Sequence, residues 1–333
     1  MVENPRKFNV SPEQAGLRLD RFVSANHSDL SRTRVQELVK SGMVLLNSKP
    51  VKDSHKVRAG DIVEVIACPR PPLKAEAENI PLDILYEDDD LLAVNKPAGM
   101  TVHAGAGNSH GTLVNALLGR GQSLSQGGDS LRPGIVHRID KETSGIVLVA
   151  KNDFAHARLS EAFRERKIEK TYIALVQGLL TEERGRIDLP IARDPVRRNR
   201  MTARRAASLP NARNALTEWR VLAPIDSTTL LEVRIHTGRT HQIRVHFSAL
   251  RHPVVGDTLY GAAGQLHAGR STLPALGRNF LHAARIGFQQ PRTGQPIRLV
   301  APLPPELRAY LRKLCLASGD QPSRIDATLT GFL

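Results

Sequence analysis

The spacing of apolar residues over residues 1–70 predicts a small unit of two helices followed by strands. Residues 17–22 open a short helix, Ser31 is a candidate N-cap for a second helix, and Gly42 suits the C-cap of that second helix. The second helix has one apolar face, made of Val35, Leu38 and Val39. Residues 43–47 and 56–67 then follow the pattern of strands, with a turn inside the second.

Basic residues give this first unit a candidate RNA-binding surface. Residues 1–70 hold 12 Lys and Arg against 8 Asp and Glu, a net charge of +4. Three basic residues of the second helix fall outside its apolar face: Arg32, Arg34 and Lys40. Helices followed by strands, with basic residues on the outer helix, predict an RNA-binding module over residues 1–68.

Four prolines, at positions 69, 71, 72 and 81, separate that module from a larger second domain and predict a stiff, extended linker over residues 69–81. Beyond the linker, apolar runs typical of strands alternate with helical patterns: strands at 91–95, 145–150 and 171–176, helices at 111–118 and from Asp153. This mixture lacks regular βαβ repeats, so we predict an α+β domain over residues 82–317 with a mixed or antiparallel sheet. Residues 318–333 are polar and aperiodic, and we expect a loosely ordered tail there.

Charge is the feature of the composition that bears most on function. The 333 residues carry a formal net charge of +14, and such an excess of Lys and Arg favours a polyanionic partner. Aromatic residues make up only 4%, which argues against binding that depends mainly on stacking many single-stranded bases. Two cysteines are too few for a disulfide framework or a cysteine-based zinc site. No apolar run is long enough for a membrane span, and the N-terminus lacks a signal-peptide core, so we expect a cytoplasmic protein.

A polar loop over residues 133–145, PGIVHRIDKETSG, directly precedes an apolar strand. Loops at strand ends are where binding and catalytic groups concentrate. Asp140 lies in this loop between two positively charged residues, Arg138 and Lys141. A carboxylate repels RNA phosphates, so its presence in a basic loop calls for a reason, either a salt bridge or nucleophilic or acid–base catalysis.

A second polar segment, TGRTHQIRVHF at residues 237–247, predicts a glycine turn that leads into a helix started by Thr240. The helix period gives it a buried face of Ile243, Phe247 and Leu250 and a second face of His241, Arg244 and Ser248. Arg244 is therefore available to meet a carboxylate. His241 and His246 are five residues apart and do not share a face, so we predict no metal site there.

A run of arginines lies between two predicted strands of the second domain. Residues 193–205 hold six, at positions 193, 197, 198, 200, 204 and 205, against the single acid Asp194. The run has no helical period, and we predict a flexible basic loop that contacts RNA phosphates. The glycines of residues 105–108 lack the context of a nucleotide-binding loop, and Ser144 lacks the GxSxG context of a hydrolase, so we predict no nucleotide cofactor.

Three segments together resemble the RluA-type pseudouridine synthases. HRIDKETSGIVLVAK at residues 137–151 is similar to that family's HRLDxxTSG motif, with Ile139 where leucine is usual. KTYIALVQG at 170–178 and GRTHQIRVHFSALRHPVVGDTLYG at 238–261 are similar to the second and third motifs, in the same order. The VNKP and HAGAGN segments, at 94–97 and 103–108, resemble the branch named ribosomal large subunit pseudouridine synthase D. Residues 17–65 resemble the S4 domain.

The resemblance implies a fold, a reaction and residue roles that the residue patterns alone do not give. The fold would be a mixed, mostly antiparallel sheet with flanking helices, and the reaction would isomerise uridine in RNA without a cofactor. Asp140 would be the catalytic aspartate, attacking C1′ or deprotonating C2′ of the ribose. Arg244 would pair with that aspartate, and Tyr172 would pack against the target base, with proton acceptance as a second role. Arg138 would lie by the place that the flipped base leaves.

The expected partner is ribosomal RNA of the large subunit, bound by a monomer. Eleven residues are candidates for RNA contact: Arg32, Arg34, Lys40, Arg138, Arg197, Arg198, Arg200, Arg204, Arg205, Arg239 and His241. Two other classes of function stay open. One is an RNA-binding assembly factor without catalysis. The other is an RNA-directed hydrolase or glycosidase, which would need a second acid such as Glu142. Sister branches with the same architecture modify other RNA sites.

Overall fold

The computed structural model describes residues 5–26, 32–66, 76–104, 109–121, 123–125, 132–197, 199–204 and 211–332, with backbone only at 32–34 and 37. The chain divides into two compact units, residues 1–73 and 74–333. The predicted N-cap Ser31 and residues 69–75 of the predicted linker lie outside the described residues.

The first unit packs two helices on a small antiparallel sheet. The helices are α1 (Leu19–Asn26) and α2 (Arg32–Lys40), and the strands are β1 (Arg6–Asn9), β2 (Val44–Leu46), β3 (Lys49–Pro50) and β4 (Ile62–Val65), in the order β1-β4-β2-β3. Its core includes Phe22 of α1, Val35 of α2 and Val63 of β4, each fully buried. Only the second half of the predicted strand 56–67 forms, because the Asp61 carboxylate accepts the Arg58 N–H at 2.7 Å and closes a turn before β4.

The second unit contains the larger sheet and five helices in its described part. The strands are β5 (Asp83–Glu87), β6 (Leu91–Lys96), β7 (Ser144–Ala150), β8 (Glu169–Gln177), β9 (Arg184–Asp188), β10 (Ile191–Arg193), β11 (Met201–Ala203), β12 (Leu216–Ile225), β13 (Thr228–Ile235), β14 (Leu266–Ala268), β15 (Ser271–Leu273), β16 (Leu281–Gln289) and β17 (Pro296–Val300). The helices are α3 (Leu113–Gly119), α4 (Asp153–Arg164), α5 (Gln242–Ala249), α6 (Pro305–Ser318) and α7 (Pro322–Thr328).

Nine of these strands form one sheet in the order β5-β6-β7-β16-β8-β13-β12-β9, with β17 paired to β16. Every pair in this sheet is antiparallel except β7 with β16. The prediction of a mixed, mostly antiparallel sheet with flanking helices is therefore confirmed. Strands β10 and β11 form one separate hairpin, and strands β14 and β15 form another.

Strand β7 lies inside the sheet, and all seven of its residues are buried. Its side chains alternate between two apolar layers, as the pleat of a strand requires. Val147 and Val149 join the layer that also contains residues of α3, α5, α6 and α7, whereas Ile146 and Leu148 join the layer beneath α4. The loop that precedes β7 is therefore attached to one of the most firmly held strands of the domain.

Gly145 allows β7 to lie close to β16. Its φ is 114°, and a Cβ built there would come within 2.3 Å of the carbonyl oxygen of Ala283 on β16. No other residue type fits this backbone conformation and this approach together.

The prediction of a loosely ordered tail over residues 318–333 is wrong. Residues 322–328 form α7, and Ile325, Leu329 and Phe332 are buried. The N–H of Leu303 donates to the carbonyl of Phe332 at 2.7 Å, which fixes the end of the chain to the domain. These apolar residues are few among polar neighbours, so their pattern is weak in sequence, but each finds a place in the core.

The described end of the predicted linker also belongs to the second unit. The N–H of Glu78 donates to the carbonyl of Asn115 on α3 at 3.0 Å, and the Glu78 carboxylate accepts the N–H of Gly111. The Asn115 side chain donates to the carbonyl of Glu76 at 2.7 Å. Glu76 and Glu78 are thus hydrogen-bonded to the second unit.

Helix α4 begins at Asp153, and the side chain of Asn152 caps it by accepting from the N–H of Ala155.

Replacing Gly145 with alanine should destabilise the second unit. The added Cβ meets backbone on β16 in a left-handed conformation, so we expect the free energy of unfolding to fall by about 3 kcal/mol. Fluorescence of the single tryptophan, Trp219 on β12, reports this unit during urea denaturation. Gly264→Ala is the matched control, because a Cβ there meets nothing within 4 Å. Equal midpoints for the two variants would contradict the close approach of β7 to β16.

Candidate active site

Asp140 lies in the loop that leads into β7, and backbone hydrogen bonds fix that loop. The N–H of Thr143 donates to the carbonyl of Asp140 at 3.1 Å and closes a turn. The N–H of Gly99 donates to the carbonyl of Lys141 at 2.9 Å, which ties this turn to the segment after β6. The carboxylate of Asp140 therefore projects from an ordered turn, on a side chain that is 18% exposed.

A buried lysine side chain stabilises the same turn through hydrogen bonds to backbone carbonyls. Lys96, at the end of β6, is fully buried, and its ammonium donates to the carbonyls of Pro97, Met100 and Lys141 at 2.6, 2.8 and 3.2 Å. Burial lowers the pKa of Lys96 to about 7, an effect that the charge of Arg278 reinforces. Three carbonyl acceptors match the three protons of an ammonium, so the geometry favours its charged form. This single side chain joins the segment after β6 to the turn that carries Asp140.

His137 anchors the start of the loop as a neutral group. Its Nε2 accepts the N–H of Leu148 on β7 at 2.8 Å, and its ring stacks on Phe163 of α4 with centroids 4.5 Å apart. Burial lowers the pKa of His137 to about 3, and the charge of Lys170 acts in the same direction. An uncharged imidazole is the form that accepts this hydrogen bond.

Arg244 joins Asp140 to a second carboxylate, that of Asp257. One terminal nitrogen of its guanidinium donates to Asp140 at 3.1 Å, while its Nε and other terminal nitrogen donate to the two oxygens of Asp257 at 2.6 and 2.9 Å. Asp257 is 1% exposed and Arg244 is 7% exposed. Burial opposes the charge of Arg244, but the hydrogen bonds and charges of Asp257 and Asp140 outweigh burial and raise its pKa. The guanidinium is thus permanently charged and held in one orientation by a bidentate pair.

Helix α5 carries Arg244, and its first turn is fixed by Gln242. The Gln242 side chain accepts from the hydroxyl of Thr237 and the N–H of Arg239, and it donates to the carbonyl of Leu216 on β12. The helix starts at Gln242 after a left-handed His241 with a φ of 56°, one residue later than a Thr240 cap would place it. The predicted apolar face holds at Ile243 and Phe247 but not at Leu250, which is 39% exposed.

Tyr172, on β8, lines the same cavity as Asp140 and Arg244. The ring is 7% exposed, and burial together with the charge of Asp140 raises the pKa of its hydroxyl. The phenol therefore stays protonated near neutral pH. A second tyrosine, Tyr260, contacts both Arg244 and His241. The Arg244 guanidinium lies 5.0 Å from the Tyr260 ring centroid, and the Tyr260 hydroxyl is 2.9 Å from Nδ1 of His241.

Asp140, Tyr172 and Arg244 line one cavity. Its polar residues include Arg138, Asp140, Arg239, His241 and Arg244, and Tyr172, Ile235, Ile243 and Leu281 give it apolar walls. Among the described residues that line it, Asp140 has the only carboxylate. The structure therefore brings together three candidate catalytic residues from distant segments and adds three of the candidate RNA-binding residues.

The remaining candidate residues lie elsewhere. Lys40 is exposed on the last turn of α2 in the first unit, and Arg32 and Arg34 belong to the same helix without described side chains. Arg198 and Arg205 lie outside the described residues, whereas Arg197 and Arg204 are described and exposed.

The predicted flexible basic loop is instead a β-hairpin. Strands β10 and β11 pair antiparallel, and Asp194 organises the turn by accepting the N–H groups of Val196 and Arg197. Arg200 donates to the same carboxylate at 2.7 Å, so its charge is already paired. These hydrogen bonds lower the pKa of Asp194 to about 2. One acid among six arginines is enough to fold this segment because it accepts from three donors.

Sequence reasoning missed Asp257 and Lys96 as parts of the site. Asp257 lies within the segment similar to the third family motif, but its spacing from Arg244 gives no sign of contact. Lys96 lies in the VNKP segment, and only burial reveals that its ammonium points inward. His246, considered as a metal ligand, uses both ring nitrogens in hydrogen bonds to Thr217 and Leu189.

Comparison with known proteins agrees with the fold. Residues 90–249, which include Asp140, Tyr172 and Arg244, match the profile of the RNA pseudouridylate synthase family, and residues 17–63 match the S4 domain. An RNA pseudouridine synthase of Bacillus subtilis, described as uncharacterised, is 42% identical over 93% of this chain and 98% of its own length. Ribosomal large subunit pseudouridine synthase D of Zymomonas mobilis is 41% identical over 94% of this chain and 98% of its own.

The chain belongs to the RNA pseudouridine synthase family. A solved structure, human RNA pseudouridylate synthase domain containing 1, has 27% identity and a TM-score of 0.55 over 75% of this chain and 90% of its own. Both the family and the S4 domain predicted from sequence are confirmed. Members of this family are isomerases that act on RNA, so the cavity around Asp140 is the candidate active site of such an enzyme.

Within the described ranges, no helix is both long and apolar enough to span a membrane. The described His, Cys, Asp and Glu side chains form no group of three or more that could hold a metal ion.

Replacing Asp257 with asparagine should impair turnover by freeing Arg244. The change removes a buried charge that holds the guanidinium, and we expect kcat to fall about 100-fold with KM little changed. The measurement is the rate of pseudouridine formation, at a temperature where circular dichroism shows the variant folded. Asp188→Asn makes the same change at an exposed ion pair with Arg186 and should leave kcat within about twofold. A KM effect without a kcat effect would show that Asp257 does not orient Arg244.

Replacing Lys96 with methionine should disturb the turn that carries Asp140. Methionine keeps the length and apolar stem but leaves three buried carbonyls without their donor, so we expect the free energy of unfolding to fall by about 2 kcal/mol. Denaturation followed by Trp219 fluorescence measures this effect, and kcat should fall as well. Lys313→Met, at an exposed position of α6, is the control. Unchanged stability and kcat in Lys96→Met would show that the ammonium does not hold the turn.

Proposed function

We propose that this protein isomerises uridine to pseudouridine in ribosomal RNA of the large subunit, with Asp140 as the catalytic carboxylate. The observation that carries the proposal is the contact of Asp140 with the buried Arg244 inside a cavity walled by Tyr172. The reaction breaks the N1–C1′ bond and forms a C5–C1′ bond in the same nucleotide; the proton leaves C5 and N1 becomes protonated. No atom is gained or lost overall, so the reaction needs no oxidant, reductant or group donor.

Asp140 supplies the one carboxylate that this rearrangement requires. It would either attack C1′ of the ribose or remove the proton from C2′, and both routes need an ionised carboxylate aimed at the sugar. Arg244 supports that state because its charge is fixed and its orientation is set by Asp257. An arginine hydrogen bond also stabilises the carboxylate when it leaves the sugar again.

Tyr172 is proposed to pack its ring against the target base. Its raised pKa makes the phenolate unfavourable, so the neutral ring suits stacking better than it suits proton acceptance. Ile235 and Leu281 line the same cavity and would complete an apolar slot for a planar base.

Arg138 is proposed to contact RNA at the entrance of the cavity. Its side chain is exposed, and its guanidinium lies 3.4 Å from Nε2 of His103. A target uridine must leave its stack to reach Asp140, and this exposed guanidinium is placed to fill the gap.

The proposed RNA rests on the relatives and on the first unit. Two relatives at 41% and 40% identity, from Zymomonas mobilis and Xanthomonas campestris, are named ribosomal large subunit pseudouridine synthase D. The S4 domain and the exposed arginines of the β10–β11 hairpin would add contacts to RNA phosphates. We further propose that the protein works as a monomer, since one chain supplies every residue of the cavity, and in the cytoplasm, where an rRNA substrate would be met.

A hydrolase or glycosidase acting on RNA is less well supported. Such an enzyme usually needs a second acidic group to protonate the leaving base. Glu142 is not among the residues that line the cavity, and Asp257 is engaged by Arg244.

The decisive experiment is tritium release from large-subunit ribosomal RNA labelled with [5-³H]uridine. The proton at C5 is lost only when that carbon becomes the glycosidic one, so the native protein should release tritium. Asp140→Asn should reduce release at least about 1000-fold while RNA affinity stays within about twofold, because affinity depends on Lys and Arg contacts.

Asp226→Asn is the matched control, since Asp226 is exposed in the β12–β13 turn and its left-handed backbone, with a φ of 48°, suits asparagine. It should release tritium like the native protein. Release of free uracil would instead identify a glycosidase. Full activity of Asp140→Asn would refute the role of Asp140, and tight binding with no release by the native protein would favour an assembly factor.

A further inference from the structure

A second cavity adjoins the candidate active site. The two cavities are neighbours, because they share wall residues: Arg138, Tyr172, Ile235, Gly238 and Arg239. The second cavity extends from Tyr172 toward the end of α4, away from Asp140. Its further walls come from the loop before β7, the residues after α4, the start of β8 and the segment after β13.

The charged side chains that line this second cavity are all basic. They are Arg138, Arg164, Arg166, Lys170 and Arg239. Arg164 pairs with Glu161 at 3.4 Å. For the other four, no carboxylate of the described residues lies within the 4 Å of an ion pair. This concentration of unpaired cations differs from the sheet surface around Arg220, where Glu232 neutralises the arginines.

Two of these cations carry an electrostatic cost in the protein without RNA. Burial lowers the pKa of Lys170 to about 8, and its ammonium lies 5.6 Å from the ring centroid of Phe163. Burial also lowers the pKa of Arg239, with the charges of Arg213 and Arg166 as further causes. Cations that are partly desolvated and close to one another gain more from an anion than solvated surface cations do.

Arg166 is held at the edge of this cavity by a defined turn. Its φ is 60°, and the N–H groups of Arg166 and Lys167 donate to the carbonyls of Phe163 and Ala162, which end α4. The turn leaves Arg166 exposed at the cavity wall, opposite Arg239.

We propose that this second cavity binds a backbone phosphate of the RNA adjacent to the target nucleotide, with Arg166 and Lys170 as its principal ligands. The inference rests on the proposed function, because it places the target base against Tyr172 and lets the neighbouring chain run into the second cavity. A phosphodiester fits the chemistry, since it is the one anionic group that RNA presents at every nucleotide. The site thereby adds two residues to those expected to contact RNA and gives the substrate a direction across Tyr172.

Arg166→Gln and Lys170→Met test this proposal through the salt dependence of RNA binding. The probe is a transcript of large-subunit ribosomal RNA, and the dissociation constant is measured by filter retention between 50 and 300 mM KCl, about the range in which counterion release dominates. Each variant should bind about fivefold more weakly, and the slope of log K against log salt should fall by about 0.7, the value for one phosphate on a single strand.

Arg158→Gln is the matched control for charge. Arg158 lies on the same helix as Phe163, is paired with Glu161 and does not line the second cavity. The variant loses the same single charge, but at a position outside the second cavity. Its slope and dissociation constant should therefore stay within error of the native values. Slopes for Arg166→Gln and Lys170→Met equal to that of Arg158→Gln would overturn the phosphate site.

Failure of this proposal and failure of the proposed function give different results. Binding is measured without turnover, so the slopes report the phosphate contacts even for a protein that releases no tritium. Tritium release by the native protein, with slopes unchanged in both variants, removes the phosphate site and leaves the synthase. Reduced slopes with no release keep the site as an RNA contact and remove the catalytic proposal.

Discussion

The bridge that Arg244 makes between Asp140 and Asp257 joins three segments of the second unit around the candidate active site. The three residues come from the loop before β7, from α5 and from the segment after α5, and they meet within hydrogen-bonding distance. A buried guanidinium is costly unless its donors are satisfied and its charge is balanced. Two carboxylates around one cation meet that requirement. They also leave the local group with an excess negative charge, located on the partly exposed Asp140.

The surroundings of this bridge are arranged so that Asp140 cannot move far from it. Lys96 ties its turn to the segment after β6, His137 ties the loop to β7, and Gln242 fixes the first turn of α5. Each of the three side chains makes at least one hydrogen bond with a backbone group. A reactive group supported in this way keeps its geometry before substrate arrives, which is how preorganised sites lower the barrier to reaction.

Electrostatics reconcile a carboxylate with a polyanionic substrate. The chain carries +14 overall, and the cavity around Asp140 includes Arg138 and Arg239. These side chains offset the repulsion between Asp140 and phosphates, while Asp257 keeps Arg244 turned toward the carboxylate instead of toward RNA. The basic cavity beside Tyr172 extends the same arrangement away from the reacting atoms. Among the described residues, Arg220 and Arg234 on the sheet surface and Arg200 in the hairpin turn are paired with carboxylates, whereas Arg138, Arg166, Lys170 and Arg239 beside the site are not.

The amino-acid sequence by itself determined the class of fold, the family and the identity of Asp140, Tyr172 and Arg244 as candidates. Each of these depends on local patterns: the apolar run of β7, helical spacing in α5, and short motifs whose residues are adjacent in the chain. Only the tertiary structure decided that Asp257 orients Arg244, that Lys96 points into the core, that Asp194 folds the arginine run, and that residues 322–332 belong to the core. Each of these depends on contacts between segments or on burial, which a local pattern does not encode. Asp257 lies 13 residues after Arg244, and this spacing looks the same whether or not the two side chains meet. Only the packing of α5 against the segment that follows it fixes their distance.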